Sequence, residues 1–192
     1  MKNYLAAFNL IAFVFWLLYF IYFIGNGFEL STTALVLLSV AQGLAMLEIL
    51  HALFKWVKSP LITTVAQVAS RIFVLVLINF YIHHVPLLGV TRLGIILISI
   101  AWSITELVRY SFYFLGLLNK EPKWLVWMRY SFFILLYPVG VVGEWCIIST
   151  PIFETGLVFN LYNVACVFIA AAYLYYFPVL YGYMWKQRKA RL

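Results

Sequence analysis

Six apolar stretches, each near the ~20 residues that a helix needs to cross hydrocarbon, take up almost all of this 192-residue chain. They lie at roughly 4–24, 33–54, 60–81, 92–116, 124–148 and 160–183. The breaks between them carry turn chemistry: Gly25-Asn26-Gly27, Lys58-Ser59-Pro60, Val85-Pro86, Asn119-Lys120-Glu121-Pro122 and Thr150-Pro151. With 66% apolar and only 10% charged residues, the chain is far from soluble-domain composition. The expected fold is an all-α integral membrane protein, a bundle of six transmembrane helices forming one unit over residues 1–192. The run after Lys2 continues to about Ile24 with no small-residue cleavage site, so it reads as the first span rather than a cleaved leader.

Lys and Arg in short loops set orientation. Lys2, Lys55, Lys58, Lys120, Lys123, Lys186, Arg188, Lys189 and Arg191 fall on one side. The other side has Arg92, Glu29 and Glu154. Both termini are therefore expected in the cytosol. The basic residues form a topology pattern, not a nucleic-acid patch.

Six ionisable residues remain inside the spans: Glu48, Arg71, Glu106, Arg109, Arg129 and Glu144. Each costs several kcal/mol alone in a bilayer, so each should face the bundle interior and find a partner. Equal numbers of acids and bases predict mutual pairing in one cluster. Helical spacing puts Glu106, Arg109, Tyr110 and Tyr113 on one face of the fourth span, and Thr64, Gln67 and Arg71 on one face of the third. Glu48 and His51 are three apart in the second, and Tyr130, Tyr137 and Glu144 repeat every seven in the fifth, with Arg129 beside them. Packed together, these stripes would line a polar cavity. Gly140 and Gly143 permit close approach of a helix or a ligand, and Pro138 is expected to kink the fifth helix or break its ladder at Tyr137.

Tyrosine holds its proton at neutral pH and glutamate can accept one, so Tyr137 and Glu144 make a plausible acid–base pair. Seven residues separate their backbones by about 10 Å. Glu144 should lean back toward Tyr137, because helical side chains tilt toward the N-terminus. Other chemistries lack support. His51 reads as a helix-end contact, and His83 and His84 as loop residues, too scattered for a metal or haem site. No phosphate-cradling loop or nucleophile elbow occurs. Cys146 and Cys166 read as packing residues.

Three blocks make the chain resemble a known family: LEILHALFKWVKSPLITTVAQVASRIFVL (47–75), WSITELVRYSFYFL (102–115) and RYSFFILLYPVGVVGEW (129–145). It is similar to the very-long-chain (3R)-3-hydroxyacyl-CoA dehydratases, also called protein-tyrosine-phosphatase-like proteins. The resemblance implies dehydration of 3-hydroxyacyl-CoA to trans-2-enoyl-CoA in fatty-acid elongation at the endoplasmic reticulum, as a multi-pass membrane enzyme. It implies no separate cofactor, coenzyme A being part of the substrate. Implied partners are the long-chain 3-hydroxyacyl-CoA, membrane lipid and other elongation enzymes, with no nucleic acid.

The family's catalytic pair falls on Tyr137 and Glu144, with Pro138 and Gly140 of the same motif in place. Glu48, Gln67, Arg71 and Arg129 match further positions tied to activity or site integrity. Coenzyme A would dock near Lys55, Lys58, Lys120 and Lys123. Phosphatase chemistry is excluded, since it needs an Arg six residues after the Cys, and Cys146 and Cys166 have Ile152 and Ala172 there. A non-catalytic scaffold and a small transporter are the alternatives, although the chain has no inverted repeat of the kind common in transporters.

Overall fold

The computed structural model describes residues 1–84, 89–155 and 161–192. Among the described residues there are seven helices and no strand: α1 (Lys2–Gly25), α2 (Thr32–Leu53), α3 (Leu61–His84), α4 (Gly89–Leu117), α5 (Lys123–Ser131), α6 (Phe133–Thr155) and α7 (Leu161–Arg191). All except α5 contain a stretch long and apolar enough to cross a membrane. The chain is a multi-pass helical membrane protein.

Three boundaries differ from the expectation. The fifth segment is two helices that meet at Phe132, with Pro138 lying inside α6. A proline removes one N–H and crowds the carbonyl four residues earlier, and the interruption lies upstream of it, two residues before that carbonyl. Thr150-Pro151 does not break the chain, since α6 runs on to Thr155. The backbone of His83 and His84 belongs to α3 rather than to a loop. The turn expected at Val85-Pro86 lies outside the described residues, as does the start of the sixth segment at 160.

The helix ends follow from local chemistry. α1, α2 and α4 each finish with a left-handed residue, Gly27 (φ 68°), Lys55 (φ 56°) and Asn119 (φ 56°). In each case that residue's own N–H and the following one turn back onto the last turn, as Lys55 N to Ala52 O (3.1 Å) and Trp56 N to His51 O (2.8 Å) do for α2. This satisfies carbonyls that would otherwise be orphaned at the membrane surface. Ser31 caps the start of α2 by accepting from Ala34 N at 3.3 Å.

α4 is the central element and packs on α1, α5 and α6. Half of its span is buried, against 6% for α7, which lies at the periphery on α5 and α6. α3 packs on α2 and α6. Hydroxyl pairs tie α4 to its neighbours. Ser99 donates to Ile95 O, which leaves its oxygen to accept from Tyr19 of α1 at 2.6 Å. Thr150 likewise donates to Cys146 O and accepts from Thr91 at 2.8 Å.

The α4–α6 crossing depends on Gly94 and Gly143. A Cβ on Gly94 would come within 2.8 Å of Gly143 O, and one on Gly143 within 2.9 Å of Gly94 O. Such small-residue contacts drive helix association in lipid, where apolar burial offers no gain. Cys146 and Cys166 are unpaired thiols, half-buried and buried.

Alternation of the helices gathers Lys55, Lys58, Lys120 and Lys123 at one end of the bundle with the start of α1 and the end of α7. Contacts at that end agree: Tyr4 OH is 3.0 Å from His51 Nε2, and Arg188 Nε donates to Ser131 Oγ. All four lysines are exposed. At the opposite end an exposed Arg92–Glu29 pair sits at 3.2 Å.

Candidate active site

The polar stripes resolve into two centres rather than one open cavity. The first is an ion-pair network among α2, α3 and α4. Arg109 forks both terminal nitrogens onto the Glu48 carboxylate at 2.7 Å each, and its Nε donates to Glu106 Oε2 at 2.6 Å. Arg71 donates to the other oxygen of Glu106. Tyr110 donates to Glu48 Oε1 at 2.5 Å and accepts from Arg109 Nη2 at 2.9 Å. Two carboxylates therefore face two guanidiniums, with Glu106 almost wholly buried between them (1% exposed). Planar forks of this kind are the strong form of ion pair.

The second centre surrounds Glu144 on α6, which is 8% exposed. No cation bonds it. Its Oε1 accepts from Trp102 Nε1 of α4 at 2.9 Å, and its Oε2 from Tyr173 OH of α7 at 2.5 Å. The two centres touch through one side chain. The Arg71 guanidinium lies over the Trp102 ring, 5.5 Å from its centroid.

Tyr137, two helical turns before Glu144, is half-buried. Its ring stacks on Phe177 (5.2 Å, 3° between planes) and on Tyr181 (6.2 Å, 11°). Among the described residues its hydroxyl has no hydrogen-bond partner. The two side chains do not bond each other, and Glu144 turns to Trp102 and Tyr173 instead of back to Tyr137. This arrangement provides a buried carboxylate able to take a proton and a phenol free to give one, both on α6.

Several expected members lie elsewhere. Arg129, at the end of α5, is outside the network and sits over the Tyr113 ring at 5.9 Å. Tyr130 packs edge-on to Phe112, whose neighbour in the ring cluster is Tyr113. Arg129 and Tyr130 both lie on α5, on the other side of the interruption at Phe132 from Tyr137 and Glu144. Gln67 is exposed on α3, and its side chain has no hydrogen bond among the described residues. Gly140 faces Ala101 with room for a Cβ (3.6 Å). His51 is buried at the end of α2 against Tyr4 and Phe8. A groove of about 400 Å³ between α2 and α3 is lined by residues such as Ser39 and Asn79, and a smaller one of about 220 Å³ by Leu10, Phe13 and Tyr110. Neither touches Tyr137 or Glu144. Among the described residues no three His, Cys, Asp or Glu side chains gather as metal ligands would.

Trp102 and Tyr173 were not singled out from the sequence. Tyr173, Phe177 and Tyr181 fall at i, i+4 and i+8, a single α7 face. That spacing was the available signal, hidden among the other aromatics of the segment.

The model of the protein tyrosine phosphatase-like protein family, PTPLA, matches residues 42–192. The chain is 39% identical over 162 residues to the dog "very-long-chain (3R)-3-hydroxyacyl-CoA dehydratase 1", covering 77% of this chain and 63% of that one. It is 34% identical to the Caenorhabditis elegans dehydratase hpo-8, covering 98% and 94%, and 36% identical to the Arabidopsis thaliana dehydratase PASTICCINO 2, covering 81% and 75%. The match thus spans less than two-thirds of these mammalian relatives' length, from 54% in the sheep dehydratase 1 to 63% in the dog one. No solved structure matches this chain. On a family match that runs from the second helix through α7, this chain belongs to the protein tyrosine phosphatase-like family.

Proposed function

We propose that the chain dehydrates (3R)-3-hydroxyacyl-CoA to trans-2-enoyl-CoA, as the names of its relatives state of them. Glu144 takes the C2 proton, which the thioester acidifies. The C2–H electron pair becomes the new C2=C3 bond. The C3–O bond breaks as Tyr137 protonates the departing hydroxyl, and water leaves. Proton return from Glu144 to Tyr137, directly or through water, restores the starting state. Positioned acid and base groups contribute roughly 10²–10⁴-fold each.

The observation that carries this reading is the asymmetry of the pair. Glu144 is buried with both oxygens held by neutral donors, while among the described residues the Tyr137 hydroxyl has no partner. A base should be fixed and an acid should be free to meet its leaving group.

The rest of the substrate follows from the charge pattern. Coenzyme A, which is anionic, docks at the lysine-bearing end, placed in the cytosol by the basic loops. From Trp124 to Tyr137 is about 20 Å of helix, a depth an extended pantetheine arm spans. The acyl tail continues among apolar side chains. Membership of the endoplasmic-reticulum elongation machinery belongs to the same reading.

The test is turnover. Purified protein in mild detergent receives a long-chain (3R)-3-hydroxyacyl-CoA, and mass spectrometry follows loss of water. Enoyl-CoA from the wild-type chain, but not from folded Tyr137→Phe or Glu144→Gln, is the expected result. A folded wild-type chain that turns over nothing across several chain lengths would sink the reading.

A further inference from the structure

We infer that Tyr173 is a positioning residue for the base: its hydroxyl fixes the Glu144 carboxylate in the orientation that proton abstraction requires. The inference rests on the dehydratase reading and extends it to a helix, α7, that carries no Glu, Lys or Arg within its apolar stretch.

Glutamate has three rotatable side-chain bonds, and among the described residues no cation bonds Glu144. Its plane is set by two contacts from two different helices, Trp102 on Oε1 and Tyr173 on Oε2 at 2.5 Å. Remove one and the carboxylate turns about the other. Trp102 is almost wholly buried at 3% exposure and is itself pinned beneath Arg71. Tyr173 is half-buried on the peripheral helix.

The same face of α7 also holds the acid. Phe177, one turn after Tyr173, stacks on the Tyr137 ring, and Tyr181, a further turn on, extends that stack. Trp185 and Tyr181 then meet Phe133 at 5.7 and 5.6 Å. α7 therefore runs antiparallel to α6 in a register that sets one hydroxyl on the base and two rings against the acid. A misplaced catalytic group slows chemistry without weakening substrate binding, because binding energy comes from the remote coenzyme and tail.

Tyr173→Phe keeps the ring and removes the hydroxyl. Its turnover is measured beside wild type and Tyr137→Phe, with substrate carrying hydrogen or deuterium at C2. The expected result is a kcat roughly 10- to 100-fold lower, the loss of one hydrogen bond to a charged group. KM stays within about twofold of wild type, and the deuterium effect on kcat rises as C–H cleavage becomes limiting. An unchanged kcat overturns the inference while leaving the dehydratase standing. So does a parallel loss of kcat, KM and melting temperature with no change in the isotope effect, which marks a packing role only. If Tyr173→Phe fails to fold, 4-fluorophenylalanine at 173 fills the hydroxyl's space without supplying a donor. A kcat identical to wild type in that variant overturns the inference too. Wild-type protein without turnover overturns it together with the reading beneath it.

Discussion

The Tyr181 hydroxyl donates to the Ile134 carbonyl at 3.2 Å. That carbonyl is four residues before Pro138, so it is the acceptor whose helical N–H partner the proline removes. A side chain from α7 makes good a hydrogen bond that α6 cannot make for itself. Backbone freed by proline at membrane depth is satisfied in this way by neighbouring helices.

Tyr181→Phe should therefore lower stability by about 1 kcal/mol, the scale of an interhelical hydrogen bond in lipid. In a Pro138→Ala background the N–H returns and the same change should cost almost nothing. Thermal melts of the four proteins in one detergent measure the coupling. Equal losses in both backgrounds would show that Tyr181 stabilises through its ring stack alone.

Glu106 bonds both Arg71 and Arg109. Glu106→Gln leaves two half-buried guanidiniums to one carboxylate, and breaking a buried ion pair from one side costs about 3–5 kcal/mol. Arg129→Gln removes only a half-buried cation over Tyr113 and should cost about 0.5–1 kcal/mol, the value of a cation–π contact at an exposed site. Urea or thermal unfolding of the two variants separates these outcomes clearly.

Gly143→Ala forces a methyl to within 2.9 Å of the Gly94 carbonyl, and α4 and α6 must part. Overpacking of this kind costs about 1–3 kcal/mol. Gly140→Ala meets only Ala101 at 3.6 Å and should melt within a degree or two of wild type. If Gly140→Ala keeps its melting temperature yet loses turnover, the space above Gly140 is used by substrate rather than by packing.

Trp102→Phe keeps an aromatic ring beneath Arg71 and removes the donor to Glu144 Oε1. Turnover should fall about tenfold or more, the equivalent of one hydrogen bond to a charged group, with KM little changed. A loss expressed in KM instead would place Trp102 in substrate binding.

The spans were legible because apolar length is a sufficient signal for a membrane helix. Glu48, Arg71, Glu106 and Arg109 were legible as a set because lone charges are too costly in lipid to remain unpaired. Arg129 was not, because its neighbour is the Tyr113 ring rather than a carboxylate, and a count of charges does not say which partner each will meet. Pro138 pointed to a break but not to its place, which is Phe132. Trp102 and Tyr173 escaped notice for a different reason. Neutral aromatics carry no burial penalty large enough to announce a role, and their polar tips matter only once a partner is placed beside them.

The Arg71–Glu106 bond also bears on how the chain enters a bilayer. Helices emerge in order, and α4 brings Glu106 and Arg109 three residues apart, nearly cancelling each other within one turn. Glu48 lies five residues from the end of α2 and can keep its carboxylate near the headgroups while it waits. Arg71 has no such refuge, since it sits near the middle of α3. Its partner is 35 residues downstream, on a helix not yet made. The Arg71 charge thus meets its carboxylate only once α4 has been made.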